Sequence, residues 1–410
     1  MTGRRNLPWV MAVGLAFSWA SPSAANDLRQ VFSAPLKIER TGPVTSTPLE
    51  LRMGKLFVRG AVNGQDREFI FDTGSPTVLT RAFADSLGLK PIGRNVGVDA
   101  NGAAVPMDVA VAETISLGGV TFHNVPVLIF DYSNLSIGGC IVDGGVLGSE
   151  ILPGNAWRID TEAGALTIAA DASAFEAAAP GLGGALHDVG YPHAPIIDYR
   201  IGELTDKAMF DTGSAEVLSL YSRAAESPAV VREITSGSRR DGRGTEGESA
   251  GGRGPIRDLA RFQLDDLQLA RGSLSDVLAV TRTAPPTLLG AGVLATHVVT
   301  LDYPGERFAL SPRRAPAPRR APADFAVALN GEDVEVVQLY DGPAARAGLR
   351  LGDHLKAADG QPVGAAARCD TARWLVETFD PAAITELVVE RNGKQRTIRI
   401  PARTGRSGGP

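Results

Sequence analysis

Short segments of alternating apolar and polar residues, each bounded by turn residues, run through the chain from residue 45 to residue 311. Residues 56–71 alternate on both sides of Asn63-Gly64, a pair that favours the tight turn of a β-hairpin. A second alternating segment surrounds Asn101-Gly102 and predicts another hairpin. Residues 81–87 predict a short helix that ends at the following glycine. The pattern therefore indicates a mainly β fold built from short strands.

The same sequence unit occurs twice within this region. Residues 71–75 and residues 210–214 both read Phe-Asp-Thr-Gly-Ser, which gives each unit one aspartate in the same setting, Asp72 or Asp211. An apolar-apolar-Gly segment ends at Gly148 in the first unit. The matching segment of the second unit ends at Gly290, at nearly the same distance from its own aspartate. The repeat predicts that the two units share one fold.

A third landmark follows at the same spacing in both units. Asp160 and Asp302 come equally far after the apolar-Gly segments, and a Gly-containing turn and a short strand follow each of them. This setting favours a structural turn cap over a catalytic role for these two aspartates. Three sequence features follow in the same order and at similar spacing in both units. This indicates a single β unit that is present twice.

The second unit departs from the first in residues 235–255. Gly, Arg and Ser dominate this segment, and Ala250 is its only aliphatic residue. Because such a composition is typical of a solvated loop, we predict a disordered segment here, with a gate over a substrate as the alternative. In the first unit, residues 95–105 are the candidate for a flap.

Residues 312–323 separate the two units from a C-terminal region of different character. They are rich in Pro and Arg and predict a stiff, extended, basic spacer. Beyond it, residues 334–339 predict a strand and residues 371–378 a helix. The division that we expect is a signal peptide over residues 1–25, the two units over residues 45–175 and 185–311, the spacer over residues 312–323, and a C-terminal domain over residues 324–402.

The N-terminus has the pattern of a targeting segment. Arg4 and Arg5 precede an apolar run over residues 7–20, and Ser23-Ala24-Ala25 supplies the small residues that a signal peptidase reads. An uncleaved membrane anchor is the alternative, but the run is short for a membrane span. We expect an exported protein, periplasmic or secreted, after cleavage near Ala25.

Composition and charge narrow the possible partners. The chain of 410 residues has 41 Lys and Arg against 46 Asp and Glu, a net charge of −5 that gives no basic surface for nucleic acid. The two cysteines, Cys140 and Cys369, are too few for a disulfide framework or a cysteine-based zinc site, and we expect two separate thiols, with a bridge between them in an oxidising compartment as the alternative. We expect neither a metal nor a cofactor.

The repeated Asp-Thr-Gly-Ser sequence carries the candidate chemistry. Each copy places an aspartate at the end of an apolar strand, and the glycine permits the tight turn that directs it. A pseudo-twofold axis would bring the two carboxylates together, and two like charges at that distance cannot both ionise. One carboxylate can then take a proton from water while the protonated one hydrogen-bonds a substrate carbonyl. We expect amide hydrolysis without a covalent intermediate, with the highest activity at acidic pH.

These landmarks resemble the aspartic proteases of the pepsin and retropepsin type over about residues 50 to 311. The resemblance implies two pseudo-twofold-related, β-barrel-like lobes in a mainly β protein. It implies that Asp72 and Asp211 are catalytic, that Thr73 and Thr212 interlock the two loops, and that the apolar-Gly segments cross behind them. Ser75 and Ser214 are expected to tune the carboxylates. The supporting residues of the two loops are Thr73, Gly74, Ser75, Thr212, Gly213 and Ser214.

The C-terminal region resembles a PDZ domain of the kind found with bacterial proteases, a small α+β domain. The similarity rests on Val336-Val337, on residues 342–349 (Gly-Pro-Ala-Ala-Arg-Ala-Gly-Leu), on Leu351-Gly352-Asp353 and on Asp359-Gly360. It implies that an extended C-terminal peptide adds to a sheet edge. The local candidate for the carboxylate-binding loop, residues 324–327, has no glycine, and a structural or docking role is an equal alternative.

The sequence therefore predicts a monomeric aspartic-type endopeptidase that acts on a peptide or protein substrate, with a PDZ module for docking. A non-catalytic peptide-binding or scaffold protein that retains the protease fold is the alternative. A PDZ-bearing serine protease is not favoured: the one Gly-x-Ser-x-Gly segment, residues 247–251, lies in the Gly-, Arg- and Ser-rich segment without the strand and helix that this motif needs on either side, and no His is recognisable as its partner.

Overall fold

A computed structural model describes residues 28, 30–175, 181–316, 322–364 and 366–401. The signal peptide predicted over residues 1–25 lies outside the described residues, as does part of the predicted spacer, residues 317–321. Within the described residues, no helix combines the length and the apolar character that a membrane span requires.

The first repeated unit, here called lobe 1, is built almost entirely from short strands, as the sequence predicts. The turn between β3 and β4 is Asn63-Gly64, where both residues have positive φ, as a tight hairpin turn requires. A short helix, α1 (Arg81–Ser86), follows β5, with the Thr80 side chain accepting a hydrogen bond from the amide of Phe83 at its N-terminus. A second short helix is α2 (Gly138–Ile141). The strands of lobe 1 are β1 (Lys37–Arg40), β2 (Val44–Arg52), β3 (Lys55–Val62), β4 (Gln65–Phe71), β5 (Val78–Thr80), β6 (Gly93–Val98), β7 (Ala104–Leu117), β8 (Val120–Phe130), β9 (Gly145–Leu147), β10 (Ala156–Asp160) and β11 (Ala165–Ala169).

The second unit, lobe 2, repeats the strand pairing of lobe 1. Its helices are α3 (Ser222–Ala225) and α4 (Pro228–Arg232). Its strands are β12 (Leu182–His187), β13 (Ile196–Ile201), β14 (Leu204–Asp211), β15 (Leu218–Tyr221), β16 (Arg240–Gly244), β17 (Glu248–Ser249), β18 (Gly252–Arg253), β19 (Arg257–Gln268), β20 (Ser273–Arg282), β21 (Thr287–Gly290), β22 (His297–Asp302) and β23 (Arg307–Pro312). β4 pairs in parallel with β9 in lobe 1, and β14 pairs in parallel with β21 in lobe 2. Likewise β5 pairs in parallel with β8, and β15 with β20. The repeat seen in the sequence is therefore a repeat of the fold.

The two lobes are joined by one antiparallel sheet in the order β2, β11, β10, β22, β23, β12. At its centre β10 pairs with β22, so that Trp157 lies opposite Leu301. Trp157 is fully buried, and its indole N–H donates to the carbonyl of Leu152, which satisfies the polar group inside the core. One continuous apolar core extends through both lobes. Asp160 accepts hydrogen bonds from the amides of Glu162 and Ala163, and it caps a turn as the sequence predicts.

The C-terminal domain has a separate apolar core of its own. Its strands are β24 (Phe325–Asn330), β25 (Asp333–Tyr340), β26 (His354–Ala358), β27 (Gln361–Pro362), β28 (Glu386–Arg391) and β29 (Lys394–Arg399), and its helices are α5 (Pro343–Arg346) and α6 (Arg368–Glu377). The strand predicted over residues 334–339 and the helix predicted over residues 371–378 correspond to β25 and α6. β23 extends to Pro312, the residue at which the predicted spacer begins.

Two expectations from the sequence are wrong. Residues 235–255 are not a disordered loop, because they contain β16, β17 and β18, and β16 pairs along its length with β19. Strand pairing uses backbone N–H and C=O groups and needs no apolar side chains. A composition poor in apolar residues therefore does not exclude strands in this segment. The two cysteines are not separate thiols either, since Cys140 and Cys369 form a disulfide between lobe 1 and the C-terminal domain, 229 residues apart in sequence.

Candidate active site

The two Asp-Thr-Gly-Ser loops follow β4 and β14 and meet between the lobes. The hydroxyl of Thr73 donates to the carbonyl of Phe210 (2.7 Å) and accepts from the amide of Thr212 (3.1 Å). Reciprocally, the hydroxyl of Thr212 donates to the carbonyl of Phe71 (2.8 Å) and accepts from the amide of Thr73 (3.0 Å). Both threonines are fully buried. This reciprocal set is the interlock expected from the sequence, and it fixes the two loops relative to each other.

The interlock places the carboxyl groups of Asp72 and Asp211 next to each other. The amide of Gly74 donates to Oδ1 of Asp72 (3.0 Å), and the amide of Gly213 donates to Oδ1 of Asp211 (2.8 Å). Each carboxyl also lies against the glycine of the opposite loop. A Cβ atom on Gly74 would lie 2.5 Å from the carboxyl carbon of Asp211, and one on Gly213 would lie 2.6 Å from that of Asp72. Glycine is required at both positions because any side chain would displace the opposing carboxyl.

Burial raises the pKa of Asp72 to about 7. That value already includes the charge of Asp211 and a hydrogen bond between the two carboxyl groups, which also raise the pKa, and the charge of Lys55 and the Gly74 amide, which lower it. A carboxyl with this pKa holds its proton up to neutral pH. The pair therefore has one proton to share in the pH range in which most proteins work.

The serines of the two loops do not contact the carboxyl groups as expected. The hydroxyl of Ser75 donates to the carbonyl of Pro76 (2.8 Å), and the hydroxyl of Ser214 lies 3.4 Å from that of Ser219. The backbone amides of the glycines hold the carboxyl groups instead, so the proposed tuning by serine is wrong. A hydroxyl beside a carboxylate in sequence can turn toward the chain that follows it, and the sequence does not show which direction it takes.

Three further residues lie close to the dyad and were missed in the sequence analysis. Lys55, the first residue of β3, donates from Nζ to the carbonyl of Gly213. Burial lowers the pKa of Arg282, the last residue of β20, and the charge of Asp211 opposes this shift. Burial and the charge of Asp72 raise the pKa of Tyr132. Lys55 could have been singled out as a lone charge at the start of an apolar strand, but the sequence does not indicate the other two.

Glu150 supports the loop of Asp72 from behind. It is buried, and one carboxyl oxygen accepts hydrogen bonds from both the amide (2.7 Å) and the hydroxyl (2.8 Å) of Thr77. The same hydroxyl of Thr77 accepts from the amide of Gly148, so the apolar-Gly segment crosses behind the loop as expected. Burial raises the pKa of Glu150 to about 7. At the corresponding position of lobe 2 the residue is Gly292, which has no carboxyl group.

One face of lobe 1, on the same side as Asp72, is lined by apolar residues. Along β4, Phe69 and Phe71 point into the main core, whereas Ile70 points to the opposite side, which is the side of Asp72. Two residues near the N-terminus, Leu28 and Phe32, pack on this face and are each only 5% exposed. The other buried residues on this face are Phe57, Val78, Val109, Leu128 and Val146.

The corresponding face of lobe 2 is polar. Val109 and Leu128 are opposite each other in the pairing of β7 with β8, and the equivalent pair in lobe 2 is Gln263 and Leu278. These two residues line a cavity of about 330 Å³, and Pro322, Asp324 and Pro343 from the C-terminal part of the chain also line it. The two sides of the cleft therefore differ in chemistry although they share one fold.

Comparison with known proteins gives matches over part of the chain. Residues 58–151 match the family model described as aspartyl protease, a segment that contains the first Asp-Thr-Gly-Ser loop and Gly148 but not the second loop. Among solved structures, the aspartic proteinase from Irpex lacteus matches with a TM-score of 0.41 and 11% sequence identity, over 66% of this chain and 98% of that chain. No curated protein matches the chain.

Proposed function

We propose that this protein is an aspartic-type endopeptidase that hydrolyses peptide bonds with a water molecule activated between Asp72 and Asp211. The observation that carries the proposal is the interlock of Thr73 and Thr212, which holds two carboxyl groups against each other in one chain. A scaffold protein has no need for this arrangement, because two adjacent carboxyl groups destabilise each other when both ionise. Since one chain supplies both aspartates, we propose that the enzyme acts as a monomer.

The shared proton defines the roles of the two carboxyl groups. The ionised carboxyl takes a proton from the water as its oxygen attacks the carbonyl carbon of the substrate. The protonated carboxyl donates a hydrogen bond to the carbonyl oxygen, where negative charge develops. The amide nitrogen is then protonated, the C–N bond breaks, and a carboxylic acid and an amine are released. The pair is left with one proton, as at the start.

The proposal is tested by incubating the protein with a diverse peptide mixture, with and without pepstatin, and identifying the new termini by mass spectrometry. We expect internal cleavage of peptides that pepstatin suppresses. Binding of peptides without any new termini between pH 3 and pH 8 would favour the alternative, a non-catalytic peptide-binding protein.

We also propose that the C-terminal domain keeps the docking role that its resemblance to PDZ domains implies. In support, β24 pairs with β25 on one side and with no other described strand. Titrating the full chain with peptides that end in a free or an amidated carboxyl group tests this proposal. We expect binding only of peptides with the free carboxyl group, and equal binding of both would contradict a PDZ mode.

The disulfide between Cys140 and Cys369 supports an oxidising compartment, and with it the proposal that the protein is exported.

A further inference from the structure

The C-terminal domain is bonded to a hairpin of lobe 2. Hairpin 2 is defined here as β16 and β19 with the connecting residues 245–256. β16 pairs with β25 of the C-terminal domain, with Gly242 opposite Tyr340 and Gly244 opposite Gln338. The pairing continues beyond β16, since the amide of Thr245 donates to the carbonyl of Val337 (3.0 Å). Hairpin 2 and the C-terminal domain therefore form one continuous sheet.

Two ion pairs reinforce this contact. Arg253 lies 2.8 Å from Glu335 and also donates to the carbonyl of Leu329 in β24. Arg261 of β19 lies 2.9 Å from Asp324, and both side chains are less than a tenth exposed. Breaking a buried ion pair leaves a charge without its partner inside the protein, which is strongly unfavourable. Hairpin 2 is thus held more firmly than a surface hairpin that has solvent on both sides.

The same domain is attached to lobe 1 on its other side. The disulfide joins Cys140 of α2 to Cys369 of α6. Around it, Arg368 donates to the carbonyls of Leu135 and Ser136, and Ile137 packs against the core of the C-terminal domain. The C-terminal domain is therefore bonded covalently to lobe 1 and by strand pairing and ion pairs to the hairpin of lobe 2.

The hairpins of the two lobes also meet at their tips. Hairpin 1 is defined here as β6 and β7 with the turn at residues 99–103. The amide of Gly251 in hairpin 2 donates to the carboxyl of Asp99 in hairpin 1 (2.9 Å). Asn101 donates to the carbonyls of Gly247 and Gly252 (both 3.3 Å). These hydrogen bonds hold the two tips together.

We propose that the C-terminal domain is a strap that controls separation of the two hairpins. Hairpin 2 moves away from hairpin 1 in one of two ways: the pairing of β16 with β25 breaks, or the C-terminal domain moves with the hairpin. The disulfide to lobe 1 restrains the second movement, so it acts as a tether on cleft opening. For its effect on cleavage, this inference rests on the proposed function.

Reduction of the disulfide releases the tether. A dithiol such as dithiothreitol supplies two electrons and two protons, the bond between Cys140 and Cys369 breaks to give two thiols, and the reagent closes to its own cyclic disulfide. The variant Cys140→Ser/Cys369→Ser removes the tether permanently and makes the protein insensitive to the reagent. The variant therefore controls for effects of dithiothreitol on other parts of the assay.

A pair of glycines gives a matched test of the sheet contact. A Cβ atom on Gly244 would lie 2.6 Å from Cα of Gln338, so Gly244→Ala pushes β16 away from β25. In hairpin 1, a Cβ atom on Gly97 would meet nothing within 4 Å, so Gly97→Ala is the control. A milder pair is Arg253→Gln, which removes contacts to the C-terminal domain, and Arg243→Gln, whose partner Asp258 lies within hairpin 2. The milder pair keeps the test valid if Gly244→Ala does not fold.

Hydrogen exchange on the full chain measures the strap directly. We expect the amides of β16 to exchange about tenfold faster in Gly244→Ala and in Arg253→Gln, and the amide of Gly251, which donates to Asp99 across the tips, to exchange about tenfold faster in the cysteine variant. Exchange in the two controls is expected to be unchanged. Unchanged exchange in all three test variants would overturn the proposal. Hydrogen exchange does not depend on cleavage. It therefore tests whether the C-terminal domain restrains hairpin 2 even if the protein is not a protease.

Activity then tests the consequence for substrate entry. We expect kcat/KM on a peptide of eight to ten residues to rise at least about threefold in the cysteine variant and in the reduced wild-type protein, because opening becomes easier. Faster exchange of the Gly251 amide with unchanged or lower kcat/KM would contradict control of entry by the strap.

Discussion

Asp72→Asn and Asp211→Asn are each expected to lower kcat/KM for peptide cleavage by at least about a thousandfold, the range that a positioned acid or base contributes. An amide can neither take a proton from water nor supply one to the substrate, although it has almost the same shape as a carboxyl group. The measurement is initial cleavage rates on one peptide at several concentrations. Thermal unfolding of both variants shows whether the fold is retained, which we expect because the Thr73–Thr212 interlock does not use the carboxyl groups.

Asp160→Asn is the matched control for these two variants. Asp160 also belongs to the repeat, but it caps a turn through the amides of Glu162 and Ala163, and an asparagine oxygen can accept the same bonds. We expect its kcat/KM to stay within about twofold of the wild type, the ordinary range for a surface substitution. Near-normal activity in either Asn variant of the dyad would contradict the shared-proton mechanism.

The second large effect concerns pH. Activity needs one protonated and one ionised carboxyl, and the pKa of Asp72 is raised to about 7. Below pH 7 the pair keeps its proton. As the pH rises through 7 that proton is lost, and kcat/KM is expected to fall about tenfold for each further pH unit. The sequence alone predicts an acidic optimum that fades toward neutral pH, whereas the raised pKa of Asp72 predicts activity that extends to near neutrality.

A pH–rate profile of kcat/KM on one peptide checks this expectation. Lys55→Met provides an internal comparison, because the charge of Lys55 lowers the pKa of Asp72. Without that charge, the falling limb is expected to move to higher pH. A plateau that continues above pH 8 in the wild type would indicate a base other than the carboxyl pair.

The sequence predicts those parts of the site that depend on local patterns. Asp72 and Asp211 are recognisable because the repeat preserves their spacing, and the roles of Thr73 and Thr212 follow from the family resemblance. The helix at Arg81–Ser86 and the turn at Asn63-Gly64 are also local, and both are found where they are predicted.

Contacts between segments that are far apart in the chain could not be predicted from the sequence. The pairing of β16 with β25 joins segments about 100 residues apart through backbone groups, which every residue except proline has. The disulfide needs α2 and α6 to approach, and nothing in the neighbourhood of either cysteine in the sequence predicts this. The orientation of the serine hydroxyls depends in the same way on the surrounding chain.

Under the proposed function, Leu28 and Phe32 would act as an intramolecular competitor for the apolar face of lobe 1. A substrate that extends along the apolar face leading to Asp72 must displace these two side chains, which belong to the same molecule. The local concentration of such an attached competitor is fixed by its short connection to the lobe and does not change on dilution. The KM measured with the full chain then equals the intrinsic value multiplied by a constant factor, the reciprocal of the fraction of molecules in which the face is free. Substrates with large apolar side chains gain most when that fraction rises.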